Sequence, residues 1–171
     1  NGLLNYSSST DLNKFGGRFK YSKILNVIDN IDDAISSNIT RVIVRRNLRA
    51  LINQFAQYEL CYGNSFHINP EGRNIKSTGF TIQGQVDTVY LTDIPNKNNN
   101  GTLDGSGKGI LAIVKGNVEQ AENRLVVASA GIVDYTHGEI ILSTINITST
   151  TKANNIIEIQ AFPESNDVIG L

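Results

Sequence analysis

The chain has 171 residues, with no methionine, no tryptophan, one cysteine and three prolines. Each scarcity removes a class of explanation. Cys61 alone cannot close an internal disulfide or build a zinc site from several cysteines. With His67 and His137 as the only imidazoles, metal chemistry would fall to a carboxylate-dominated site. An excess of either charge is also missing. Fifteen Lys and Arg against 16 Asp and Glu leave a net charge of -1, so no global field draws the chain to nucleic acid or an anionic membrane. No apolar run reaches the roughly 18 residues of a transmembrane helix, and no signal-peptide pattern opens the chain. Residue 1 is Asn and the last residues are Val168-Ile169-Gly170-Leu171, so the expectation is a fragment of a longer protein.

What is present suffices for one core: apolar residues make up 40% of the chain and charged ones 18%. Residues 1–19 read as an irregular lead-in, through Ser7-Ser8-Ser9-Thr10 and Gly16-Gly17. Ile24, Leu25, Val27, Ile28, Ile31, Ala34 and Ile35 then fall at helical spacing, with Ser22 as N-cap and Asp29, Asn30, Asp32 and Asp33 on the wet face. The period changes to two from Ile39 to Arg46. Leu48, Leu51, Ile52 and Phe55 fit either a short helical stripe or an extended connection. Tyr58, Leu60 and Tyr62 alternate, Gly63-Asn64 stops that strand, and Ser65–Ile68 resumes it. Strand-rich segments follow at 79–82, 88–91, 110–115, 125–128, 131–133, 139–143 and 156–162. The Asn, Lys, Gly and Ser residues between 95 and 109 predict an exposed, mobile loop. Asp134 to Gly138 predicts a tight hairpin connection with Gly138 left-handed. The fold class expected is α+β: a mostly antiparallel sheet or sandwich with one or two helices on it, as a single domain over 20–171.

Chemistry-bearing motifs are weak. Gly105-Ser106-Gly107-Lys108-Gly109 resembles a phosphate loop, but Gly109 follows the Lys where Ser or Thr belongs, and Thr102 replaces the first Gly. His67 reads as a half-buried strand histidine and His137 as a solvated turn residue. Cys61 reads as a small buried apolar residue, with His67 its only possible activating base. No serine sits in a nucleophile elbow. Asp29 and Asp33 share a helix face, but a calcium site needs more oxygens. Arg41, Arg45, Arg46 and Arg49 form the densest charged group. Without interleaved aromatics for base stacking, they read as a protein interface before a nucleic-acid patch. Sequons at Asn5, Asn38, Asn100 and Asn146 carry no weight without a secretory signal. No catalytic, metal or cofactor-binding residue is assigned.

Phe19-Lys20-Tyr21-Ser22-Lys23-Ile24, Ile28-Asp29 and Asp33-Ala34-Ile35-Ser36-Ser37-Asn38-Ile39-Thr40 appear in that order. Tyr58-Glu59-Leu60-Cys61-Tyr62-Gly63-Asn64, Ser77-Thr78-Gly79-Phe80, Gly131-Ile132-Val133-Asp134-Tyr135-Thr136-His137-Gly138-Glu139-Ile140 and Pro163-Glu164-Ser165-Asn166-Asp167-Val168 follow. The ordered set, from about residue 14 to 171, resembles the C-terminal portion of the baseplate wedge protein of T-even-like contractile-tailed phages, within the baseplate-J-like family. The resemblance implies a structural virion protein of the tail baseplate, assembled in the host cytoplasm. It implies pairing with a second copy and contacts with other wedge proteins, without catalysis. At the matched positions it implies plain structural roles for Gly63, Asn64, Asp134, Tyr135, Gly138, Asn166 and Asp167. The alternative is a carbohydrate- or receptor-binding β module, which would show exposed aromatics beside a groove. A tail-associated hydrolase would need two carboxylates flanking a cleft, and no spacing suggests them.

Overall fold

A computed structural model describes residues 42–116 and 124–165, with the backbone of 18–19 and 168–169. The helical stripe at 24–35 and Arg41, Asn166 and Asp167 lie outside the described residues. The strands are β1 (Arg18–Phe19), β2 (Val44–Arg49), β3 (Phe55–Cys61), β4 (Lys76–Ser77), β5 (Phe80–Ile82), β6 (Val89–Pro95), β7 (Lys108–Lys115), β8 (Leu125–Asp134), β9 (Glu139–Thr150), β10 (Ile156–Ala161) and β11 (Val168–Ile169).

The α+β expectation is corrected. The architecture is nearly all β, built on a closed five-stranded barrel, and among the described residues one short 3-10 turn at Ala153–Asn155 is the only helical element. The ambiguous stretch from 48 to 57 is strand, turn, strand. Asn53 takes a left-handed φ of 59° there, which ends any helical path.

The barrel follows from a meander. Strands β5 to β9 pair antiparallel in chain order, and β9 also pairs with β5, which closes the ring. The interior is filled by alternate residues: Phe80, Leu91, Leu111, Ile113, Val133, Ile140, Leu142 and Ile147 are fully or almost fully buried. β9, 12 residues long, pairs with β8 through its first part and with β5 through its last. Ile140 and Leu142 face inward, and after the register shift Ile147 does so instead.

Beyond the ring, β3 adds to β9, from Cys61 opposite Glu139 to Phe55 opposite Asn146. A separate three-stranded sheet, in the order β2-β10-β4, contributes Leu48, Ile157, Ile159 and Ala161 to the same core. Tyr62 joins the two parts: its hydroxyl donates to the Ile159 carbonyl at 2.8 Å, and its ring meets Phe66 edge-on at 5.0 Å. β1 and β11 pair antiparallel.

Candidate assembly surface

The barrel's outer wall carries a feature that register creates. Ile94 lies opposite Ile110, Ile110 opposite Ile132, and Ile132 opposite Ile141. Directly opposed residues share a face of the sheet, so these isoleucines of β6, β7, β8 and β9 form one row. Their chain neighbours point into the barrel, so the row points outward. Ile94, Ile110 and Ile132 are 38%, 36% and 53% exposed, and Ile141 is half-buried. At the strand spacing of about 4.8 Å the row spans roughly 14 Å. It ends on β3 at Glu59, which faces Ile141. The adjoining row is Lys108, Asp134 and Glu139, a charged rim.

That rim is tied down. Asp134 accepts hydrogen bonds from the His137 N–H at 3.0 Å and pairs with its Nδ1 at 3.0 Å; Lys108 approaches at 3.9 Å. Burial pushes the Asp134 carboxyl up, but the His137 hydrogen bonds and the charges of His137 and Lys108 outweigh it and hold the carboxyl below its usual value. His137 is exposed, and His67 is more exposed than a half-buried strand residue.

The hairpin residues converge. Gly63 and Gly138 adopt φ values of 67° and 66°. A side chain at Gly138 would run into the Asn64 carbonyl, while the Tyr62 N–H donates to the Gly138 carbonyl at 2.8 Å. Asn64 Nδ2 donates to the Tyr62 carbonyl at 3.0 Å, and the Phe66 N–H to the Tyr135 carbonyl at 2.7 Å. Tyr135 reaches inward. Its hydroxyl donates to Asp93 Oδ2 at 2.6 Å, and the Ile75 N–H donates to Asp93 Oδ1 at 2.6 Å. Sequence reasoning passed over Asp93, a lone acidic residue in an apolar strand that is only 1% exposed. Burial pushes its carboxyl up against those hydrogen bonds. Asn74 makes a second buried clip, donating to the His67 and Phe162 carbonyls and accepting from the Phe162 N–H.

The arginines divide. Arg45 and Arg49 are exposed on one face of β2, and Arg45 lies 3.6 Å from Glu158, which Lys152 also approaches at 3.5 Å. Arg46 is half-buried on the opposite face, near Cys61 and Tyr62. Cys61 is exposed, correcting its expected burial, because alternation along β3 turns it outward beside Glu59. Its thiol is pushed up by desolvation and by Glu139 and Glu59, the wrong direction for a nucleophile. The loop from 96 to 108 is exposed but organised. Asn96 N–H bonds the Lys108 carbonyl, Thr102 bonds Asn98 and Asn100, and Ser106 bonds Asp104. Among the described residues, no group of three or more His, Cys, Asp or Glu gathers to hold a metal, and Phe55 is the one exposed aromatic. The aromatic-flanked groove of a glycan-binding module is therefore not formed by the described residues.

Residues 1–47 match the family model for baseplate structural protein gp6, C-terminal domain III. The match supports a phage baseplate structural protein and a place in the tail baseplate, though not the narrower baseplate-J-like affiliation. No curated protein and no solved structure matches significantly. Of the matched stretch, residues 42–47 lie within the described part, where β2 begins.

Proposed function

We propose that the chain is a structural subunit of a phage tail baseplate wedge, which self-associates and contacts other wedge proteins without turnover. The observation that carries this reading is the outward isoleucine row. Four apolar side chains aligned across neighbouring strands and bordered by charge make a contiguous patch of the kind that marks protein contact. The gp6 family match supplies the type of assembly. Arg45 and Arg49, exposed on β2, offer guanidinium groups to carboxylates of a neighbouring wedge subunit. Assembly takes place in the host cytoplasm, and neither nucleic acid nor membrane is a partner. Immunogold labelling of intact particles with antibodies to the chain tests this. Gold at the baseplate end of the tail is the expected result; gold confined to distal fibres would favour a receptor-binding role.

A further inference from the structure

The row alone offers too little area for a stable complex, which needs about 800 Å² per partner. The surface continues from Glu59 onto the outer edge of β3. β9 is the only strand that pairs with β3 among the described residues. The Tyr62 N–H points towards the β9 hairpin, so by alternation Leu60 and Tyr58 also face β9. Phe55, Gln57, Glu59 and Cys61 then turn their backbone N–H and C=O groups to the open edge. The sequence Phe55–Cys61 contains neither Lys nor Pro, the residues that commonly blunt such edges. β2, which pairs only with β10 among the described residues, by contrast carries Arg45, Arg46 and Arg49.

We infer that this edge pairs with the same edge of a second copy, antiparallel across a two-fold axis at Tyr58. The inference rests on the self-association proposed above and names its surface. Of the registers open to β3, this one uses the whole strand. It sets Glu59 opposite the second copy's Gln57 and Phe55 opposite its Cys61, each twice by symmetry. All four positions are exposed on the outer face. On the other face Ala56 meets Leu60, small against large. Moving the axis one residue, to Glu59, would place two Glu59 carboxylates face to face. The pairing continues the wall of one barrel into the other and brings the two isoleucine rows onto one sheet. Phe55, 69% exposed in the single chain, gains a cover.

Position 55 in one copy and Cys61 in the other would be a hydrogen-bonded pair, with Cα atoms about 5.5 Å apart, within disulfide range. Within one chain the two lie roughly 20 Å apart along the strand, too far to join. Phe55→Cys, treated with glutathione disulfide as oxidant at about pH 8.5, where more thiolate forms than at neutral pH, should therefore give a disulfide-linked dimer on a non-reducing gel. Phe55→Cys combined with Cys61→Ser should not. Gln57→Lys should tighten the unlinked dimer and Gln57→Glu should weaken it, each by about twofold to thirtyfold in Kd. A dimer by light scattering that neither cross-links through 55 and 61 nor responds to charge at 57 would overturn the β3 edge while leaving self-association standing. A monomer at every concentration would overturn both.

Discussion

Two buried or half-buried carboxylates should respond to pH in opposite senses. Asp93 is held above the ordinary carboxylate value by burial, so the folded chain keeps a proton that the unfolded chain has released. Its contribution to stability is therefore present below the ordinary value and declines as pH rises through the raised one. Asp134 is held below the ordinary value, so its contribution is present above that value and declines as pH falls through the lowered one. Urea unfolding between pH 3 and pH 7 should show Asp93→Asn gaining on the native chain as pH rises, and Asp134→Asn losing ground over the acid range. Parallel pH profiles for all three proteins would contradict both assignments. Gly138 offers a test without titration. Its left-handed φ and its contact with the Asn64 carbonyl leave no room for a methyl group, so Gly138→Ala should cost more than about 2 kcal/mol in the same assay. Gly138 was legible as a turn residue from its place between two strand-like runs. Its close approach to Asn64, 74 positions away in sequence by subtraction, was not, because no local pattern encodes which turns meet.

Most strands were legible as elements because β-branched residues and period two mark them. Several were read too short: the strand read as 88–91 runs to Pro95, and two long strands were cut most. Residues 125–128 and 131–133 form one strand, as do 139–143 and the Thr- and Ser-rich stretch after them. In both, a register irregularity interrupts the alternation on which recognition depends. The 95–109 loop looked mobile because Asn, Gly and Ser dominate it; those same side chains supply its internal hydrogen bonds. The isoleucine row was invisible for another reason. Ile94, Ile110, Ile132 and Ile141 become neighbours only through strand register. Because Ile132 is half exposed, Ile132→Lys should change unfolding free energy by less than about 0.5 kcal/mol while lowering incorporation into assembled baseplates. Circular dichroism melts and the amount of variant found in assembled baseplates separate these effects. A large loss of stability would mean that the side chain serves the fold instead of a partner.

At the scale of the whole molecule, the closed barrel removes most sheet edges, and what remains on the outside sorts by character. Among the described strands, one edge without a partner strand is guarded by arginine, another is uncharged except at Glu59, and an apolar row runs up to it. Such a surface suits a rigid building block that joins its neighbours. The fold class was misjudged because an amphipathic stripe at 24–35 suggested a helix on a sheet, whereas the described architecture is nearly all β and encloses its core with strands. Sedimentation equilibrium of the full chain from low to high micromolar concentration tests the assembly role most directly. A mass that rises from monomer to dimer, and does so only at higher concentration in Gln57→Glu, is the expected result. A monomer throughout the range, for the native chain as for the variant, would contradict it.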